Sequence, residues 1–383
     1  MTTVVINAIS IREGGSMVVL RELLGGMAAL RPQWRWRVVV NSKATGPLPE
    51  LSNVEYLRFP RVDQSGLKTR LWYETGLPAL LRKSDAELLF STTNYLPWKK
   101  LPCPSLLLVQ HAGHFSPLFR QLTEARLGWA GRLAWRLKGR WVRSSVRNAD
   151  AVTLQTAALA QQVAQEAAVA GSRLRVIPHG PGQTVVQSAA VAPPPVGGNF
   201  RIGYITKYGV QKNFAVLFEA MDRLKGKAMP PTLVLTLSET EAGNRAVLEK
   251  AKQLGLMDGI ENHGELSVAG IDRLYQSLHT FVFPSLCESF GFPMVEAMAH
   301  GLPLLVADTA SNIEVAGAGG VAFPAHDAAS LAGEIERLMD EPAWFRERAE
   351  ASLVRAAAFD WKKAAVDTLA LMEELISAGT TKA

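Results

Sequence analysis

The sequence predicts an α/β protein of two domains, each a parallel sheet flanked by helices. Three observations lead there. Short apolar runs of strand length alternate along the chain with amphipathic stretches of helix length. The length, 383 residues, suits two cores better than one. Residues 191–198, Val-Ala-Pro-Pro-Pro-Val-Gly-Gly, carry three prolines and two glycines without apolar period, the mark of an interdomain linker. The expected division is therefore 1–190, the linker 191–198, 199–358, and a final helical segment 359–383.

Composition narrows the class. Hydrophobic residues make up 48% and charged residues 20%, which excludes a disordered chain. No apolar run reaches the length of about 18 residues that a transmembrane helix needs. Residues 1–10 lack the basic start of a signal peptide. The two cysteines, Cys103 and Cys287, form neither a disulfide framework nor a metal-ligand spacing, so a reducing cytoplasm is the expected setting. The net charge of +6 is unevenly spread: residues 1–190 carry 24 Lys and Arg against 11 Asp and Glu, the remainder 17 against 24. That asymmetry indicates that the first half meets something anionic.

In the first half, residues 4–8 read as a strand, Arg12-Glu13-Gly14-Gly15 as a turn, and 16–30 as a helix. Gly14 and Gly15 permit a tight turn or a close approach of backbone to a ligand. Strands follow at 37–41, 87–91 and 105–110, and His111 and His114 come directly after the last. Residues 120–147 hold Arg120, Arg126, Arg132, Arg136, Lys138, Arg140, Arg143 and Arg147 against Glu124 alone, with Trp129, Trp135 and Trp141 interleaved. Such a segment suits an anionic bilayer surface or an anionic lipid-linked acceptor, with Arg132, Arg136, Arg140 and Arg143 as the cationic patch. The other reading is a solvated basic face around a tryptophan-filled core. Tryptophans six apart point to three faces of an ideal helix, which weighs against a membrane stripe. No nucleic-acid motif accompanies the patch, so no nucleic acid is expected. Strands at 149–154 and 175–178 follow, the second leading into His179-Gly180.

The second half opens with a strand at 200–205 and a loop holding Lys207 and Lys212, placed to clamp a diphosphate as point charges. A helix at 213–224, a strand at 232–237 and a helix at 272–278 lead to the most informative stretch, 280–307. It reads strand, loop, helix, strand, with the loop at a strand's C-terminal end, where open parallel sheets bind ligands. Pro293 suits the first position of the helix, and Gly301 with Pro303 ends it. The helix N-terminus offers backbone N–H groups and partial positive charge to a phosphate. Glu288 on the loop and Glu296 about one turn into the helix are acceptors suited to the hydroxyls of a sugar or ribose. A single Glu is ordinarily just solvated; the string as a whole is harder to dismiss. Gly317 to Ala322 fits G-x-G-x-x-A, but no strand leads in and no acidic partner follows, so a dinucleotide is not expected. A last amphipathic helix starts at Phe359-Asp360-Trp361 and runs to Ile376.

The string Pro284-Ser285, Glu288-Ser289-Phe290-Gly291, Pro293, Glu296-Ala297-Met298-Ala299 and Gly301-Leu302-Pro303 resembles the E-x7-E segment of the family-4 retaining glycosyltransferases, which have the GT-B fold. The resemblance is strong in 200–325 and weak in 1–190. It implies two Rossmann-like domains facing each other across a cleft, with the final helix packing back on the first. By the same resemblance Gly14 and Gly15 correspond to the glycine-rich loop at the donor's diphosphate. His111 corresponds to a strand-end histidine near the reacting carbon, with His114 left open as the alternative. Lys207 and Lys212 correspond to a basic pair, and Gly264 and Leu266 to backbone bordering the base. Phe292, Pro293, Met294 and Val295 carry amides near the phosphates, Glu288 holds sugar hydroxyls, and Glu296 holds the ribose. Lys207 departs from the usual arginine, whose fork it lacks, and His179 stands where asparagine is common.

The implied function is retaining transfer of a sugar from a nucleoside-diphosphate sugar to an acceptor hydroxyl. A lipid-linked or oligosaccharide acceptor at the cytoplasmic membrane face, in surface polysaccharide or lipopolysaccharide assembly, follows from family habit and charge. No Asp-x-Asp pair is present, so neither metal nor another cofactor is expected; Lys207, Lys212 and the helix at Pro293 neutralise the leaving group instead. Two rivals are a GT-B sugar-nucleotide 2-epimerase and a non-catalytic nucleotide-sugar-binding subunit. The intact Glu288, Lys212 and Glu296 argue against the second.

Overall fold

A computed structural model of the chain describes residues 1–62, 64–182, 191–193 and 198–380. Pro194, Pro195, Val196 and Gly197 of the expected linker lie outside the described residues, as do 183–190 before it. The chain divides into two compact units. Met1–Arg120, Glu124–Gly180 and Asp360–Ala383 form the first, and Gln121–Thr123 with Pro181–Phe359 the second.

The first unit is a seven-stranded parallel sheet of β1 (Thr3–Ala8), β2 (Arg35–Val40), β3 (Val54–Arg58), β4 (Leu88–Ser91), β5 (Ser105–Leu108), β6 (Ala151–Leu154) and β7 (Leu174–Val176), in the order β3-β2-β1-β4-β5-β6-β7. The central strands β1, β4, β5 and β6 are buried at every position, as strands covered on both faces must be. Its helices are α1 (Gly15–Leu30), α2 (Gly66–Glu74), α3 (Gly76–Lys83), α4 (Pro117–Glu124), α5 (Trp129–Asn148) and α6 (Ala157–Ala167). Gly14, at φ 70°, takes the left-handed conformation that lets the chain leave β1 and enter α1.

The second unit holds α7 (Phe214–Leu224), α8 (Ala242–Gln253), α9 (Val268–Gln276), α10 (Phe292–Ala299), α11 (Ala310–Ala316), α12 (Ala328–Asp340) and α13 (Pro342–Ala356). Its strands are β8 (Arg201–Tyr204), β9 (Thr232–Leu235), β10 (Ile260–Asn262), β11 (Thr280–Phe283), β12 (Leu304–Ala307) and β13 (Gly320–Phe323), all parallel, in the order β10-β9-β8-β11-β12-β13. The direction of winding reverses between β8 and β11, and the crevice outside the carboxyl ends of those strands is the binding place such sheets offer. α10 is buried from Met294 to Ala299 and packs as a core helix. Pro293 is its second residue rather than its first; Gly291 (φ 85°) turns the chain into it and Gly301 (φ 69°) out of it.

After Phe359 the chain returns to the first unit as α14 (Trp361–Thr380). α14 lies against α1, where Gly26 faces Ala365 so closely that a Cβ on Gly26 would stand 2.8 Å from that of Ala365. Arg31 after α1 pairs with Glu373 at 2.6 Å. His179 stacks on Trp361, ring centroids 5.0 Å apart, at the start of the helix.

Candidate active site

In the second unit the loops after β8 and β11 are tied together. Leu286 donates its amide to the Gln211 carbonyl at 2.9 Å, and the Tyr204 hydroxyl donates to the Lys212 carbonyl at 2.9 Å. Asn312 at the start of α11 donates to the Ser285 carbonyl at 2.8 Å. These backbone ties bring Lys212 and Glu288 side by side: the ammonium stands 2.6 Å from Glu288 Oε1, and the Ser285 hydroxyl donates to the same oxygen at 2.7 Å. Both side chains keep a window to solvent, at 15% and 16% exposure, which is what a group that meets a polar ligand needs. Lys207 is more open and sits among other carboxylates, Glu241 at 3.8 Å and Glu265 at 4.0 Å.

Glu296 is nearly buried, and its orientation is set from behind. The Tyr275 hydroxyl on α9 donates to its Oε2 at 2.9 Å. Tyr275 in turn stacks on His300, centroids 4.9 Å apart, and His300 is held between the Glu296 carbonyl at 2.8 Å and the Asp272 carboxylate at 2.9 Å. Burial first, then the Glu296 charge, pushes the Tyr275 phenol well above its ordinary range, so it stays a donor. The backbone of Gly182 lies directly over the other oxygen; a Cβ there would stand 1.8 Å from Oε1. Sequence reasoning missed Tyr275, His300 and Asp272, which come from two helices and share no local motif.

The remaining second-unit candidates are ones for which the resemblance implies a backbone role. Met294 and Val295 side chains are fully buried, Pro293 has no N–H, and the Met294 amide is bonded to the Gly291 carbonyl at 2.9 Å. This narrows what the expected amide cluster over Phe292, Pro293, Met294 and Val295 can offer a phosphate. Gly264, at φ 65°, turns the chain after β10, and Leu266 packs its side chain against the core.

In the first unit, β5 ends at Leu108 and the chain passes through Asn94's reach. Asn94, itself at φ 62°, accepts the Gln110 amide at 2.7 Å and donates to the His111 carbonyl at 3.1 Å. His111 is thereby presented, exposed, at the strand end. His114 has a different environment. Its ring stacks on Trp135, centroids 4.4 Å apart, and burial, helped by the neighbouring His111, Lys138 and Arg143, lowers its pKa to about 3. It is a neutral packing group, whereas His111 is exposed, with its ring edge-on to Phe119, centroids 5.4 Å apart. Gly14 and Gly15 stand at the N-terminus of α1, where the Met17 amide is bonded to the Gly14 carbonyl at 2.9 Å.

The four arginines of the expected cationic patch, all on α5, divide. Arg132 donates to the Glu124 and Leu127 carbonyls at 2.8 and 2.9 Å, and Arg136 grips the Glu124 carboxylate through two bonds at 3.0 and 2.7 Å. Arg140 and Arg143 have no ion-pair partner among the described residues. The three tryptophans do face different ways: Trp129 is 82% exposed, Trp135 meets His114, and Trp141 donates to the Leu96 carbonyl at 2.7 Å.

Known proteins match both units. The family described as Glycosyltransferase Family 4 matches residues 13–180, and Glycosyl transferases group 1 matches residues 192–355. O-antigen chain mannosyltransferase B of Escherichia coli is 28% identical over 136 residues, 35% of this chain and 36% of that protein. The serotype-specific mannosyltransferase WbdA of Escherichia coli is 31% identical over 134 residues, 35% of this chain and 16% of that one. The MMP alpha-(1->4)-mannosyltransferase of Mycolicibacterium hassiacum is 32% identical over 130 residues, 33% of this chain and 31% of its own length. The matches thus span from 16% to 36% of these relatives. Among solved structures, a sucrose-phosphate synthase from Thermosynechococcus elongatus superposes with TM-score 0.77 at 19% identity over 99% of this chain and 100% of that one. Anabaena HepE in complex with UDP-glucose does so with TM-score 0.69 at 16% identity, again over 99% and 100%. At such identities the likeness establishes the fold. With the group 1 description over the second unit and the family 4 description over the first, the chain belongs to glycosyltransferase family 4, proteins of the GT-B fold.

Proposed function

We propose that the protein transfers a sugar, with retention at the anomeric carbon, from a nucleoside-diphosphate sugar to an acceptor hydroxyl in surface polysaccharide or lipopolysaccharide assembly. The observation that carries this is the Lys212–Glu288–Ser285 cluster at the carboxyl end of β11, beside the N-terminus of α10. It puts a cation and a hydroxyl acceptor within one sugar phosphate's reach. The mannosyltransferase relatives and the UDP-glucose complex of Anabaena HepE support the choice of donor and process.

The barrier in such a transfer is departure of the nucleoside diphosphate while positive charge builds on the anomeric carbon. Preorganised cations at the phosphates act on that step most strongly. Lys212 fills this role, with Lys207 as a second, more mobile charge. Glu288 accepts from sugar hydroxyls and keeps Lys212 aimed until the diphosphate displaces it. Glu296, aligned by Tyr275, accepts from the ribose. The family resemblance gives His111 an orienting role at the sugar and the Gly14–Gly15 turn a backbone role at a phosphate. The acceptor attacks on the face the diphosphate leaves, and a phosphate oxygen takes its proton, so retention needs no protein base. Neutralisation by lysines makes metal dispensable.

α5 supports a membrane-face location. Trp129, Leu133 and Leu137, at i, i+4 and i+8, are 82%, 53% and 53% exposed along one side of the helix, flanked by Arg126, Arg132, Arg136 and Lys138. An apolar stripe bordered by cations suits an anionic bilayer surface. Among the described residues no helix is long and apolar enough to cross a membrane. The cytoplasmic side is where nucleotide sugars would meet such an enzyme.

The test is the purified protein with UDP-, GDP-, ADP- and dTDP-sugars in the presence of chelator, following released nucleoside diphosphate. Slow release from one donor, abolished in Glu288→Ala, is expected. Release that appears only when magnesium or manganese is restored would overturn metal independence. No release and no binding across the panel would overturn the transferase reading.

A further inference from the structure

A groove of about 350 Å³ opens in the first unit where the turn at Ala112–His114 meets α4 and α5. That is the size of the smaller ligand sites, which start at about 300 Å³. Arg120, Arg136, Arg140 and Arg143 line it, against one carboxylate, Glu124. The charges do not cancel. Glu124 is fully used by Arg136, through both oxygens. Arg120 has Glu166 at 3.8 Å, a loose pair. Arg140 and Arg143 have no ion-pair partner among the described residues, and Arg143 makes only a long bond of 3.5 Å to the His114 carbonyl. Burial is the main cause that lowers the Arg143 pKa; the charges of Arg120, Arg147 and Arg140 add to it, with Glu166 opposing. Arg120 and Arg143 are half-buried, Arg136 and Arg140 exposed; a half-buried guanidinium crowded by like charges is costly unless an anion joins it.

The rest of the lining suits a glycan end. His114 and Trp135, stacked face to face, make a flat, uncharged wall. Gly139 is buried at the base. The groove also adjoins the first unit's candidate histidine: the rings of His111 and His114 are 5.4 Å apart.

We propose that this groove binds a phosphoryl group carried by the acceptor, held by Arg140 and Arg143. This rests on the transferase reading and deepens it. Two unpaired guanidinium groups match the charge of a phosphate monoester, about −1.5 to −2 at neutral pH, and their forks match its oxygens. Of the other two arginines that the basic segment offers by sequence, Arg132 does not line the groove and Arg136 is engaged by Glu124.

The test is direct binding of radiolabelled glucose 6-phosphate to the whole protein by equilibrium dialysis, with glucose as the neutral control. One saturable site per chain is expected for the phosphate and none for glucose. Arg143→Gln should weaken binding by about tenfold or more, the scale of one charged hydrogen bond. Arg140→Gln, at an exposed position that the fold does not need, should do the same, and Arg132→Gln should leave affinity unchanged. Vesicles of phosphatidylglycerol that displace the sugar phosphate, where phosphatidylcholine vesicles do not, would assign the phosphoryl group to a lipid; indifference to both would assign it to a soluble glycan. Equal binding by wild type and Arg140→Gln, or equal binding of glucose and its phosphate, would overturn the groove. The donor reading stands or falls separately, on nucleoside diphosphate release.

Discussion

Glu288 and Lys212 illustrate what a single residue reveals. Each belongs to a string whose spacing is distinctive, and the structure joins them at 2.6 Å although 76 positions separate them in the chain. Lys212→Ala removes a preorganised cation from the departing diphosphate. It should raise the barrier by about 2–4 kcal/mol, read as a fall in kcat/KM in steady-state kinetics; a value within twofold of wild type would remove Lys212 from the phosphates. The Tyr275–His300–Asp272 chain behind Glu296 was not legible. Its members gain meaning only from the packing of α9 on α10, and a Tyr or His in a helix is by default a core residue. His111 and His114 were inseparable by sequence for the same reason: a stacking partner, Trp135, lies 21 positions beyond His114 and decides which of the two is occupied by packing.

At the scale of elements, α5 shows both the strength and the limit of periodicity. Its tryptophans, taken alone, scatter over three faces, and the structure agrees. The stripe of Trp129, Leu133 and Leu137 went unnoticed because which helix face stays open depends on neighbours, not on the helix. Replacing all three by Ser should lower partition onto phosphatidylglycerol vesicles in a flotation assay by about a thousandfold or more, since each buried apolar side chain contributes roughly 1.5–3 kcal/mol and about 1.4 kcal/mol is a factor of ten; undiminished flotation would assign the contact elsewhere. The expected strands were mostly found but shorter, because ladder bonds stop before the apolar run does: β5 ends at Leu108 while Val109 is still fully buried. β3, β10 and β13 were missed, as were several helices, among them α2, α3, α6, α8, α12 and α13, which the sequence pattern did not delimit. The junction before α14 carries an acid response. His179 is buried on Trp361, and burial lowers its pKa to about 3. In the unfolded chain an imidazole titrates near 6.5, so protons are taken up on unfolding between about pH 6.5 and 3. Stability is therefore full above pH 6.5 and falls as pH drops through that window. His179→Phe, which keeps the stack, should flatten that slope by about one proton, measured by urea unfolding at pH 7, 6 and 5; an unaltered slope would place the acid response elsewhere.

For the whole molecule, the α/β class and the division into two parallel-sheet units were legible from alternation, length and the E-x7-E string. The strand order 3-2-1 then 4-5-6 of the second unit was not, because pairing is nonlocal. Gly26 and Ala365 allow α1 and α14 to touch, and that contact joins the first and last helices among the described residues. Gly26→Val should destabilise the first unit by about 1–3 kcal/mol through overpacking. Eight of the nine tryptophans lie in that unit, so fluorescence-detected urea unfolding reports on it, and an unchanged midpoint would mean the contact carries no stability.

The same return of the chain has a consequence for synthesis on the ribosome. The second unit lies between two parts of the first, so Pro181–Phe359 can fold as soon as it emerges, while the first unit, made earlier, waits for Asp360–Ala383. A nascent chain thus carries an unfinished sheet beside a finished one, with the hydrophobic face of α1 that α14 covers open to chaperones. A premature stop after Phe359 would spare the half translated second and damage the half translated first.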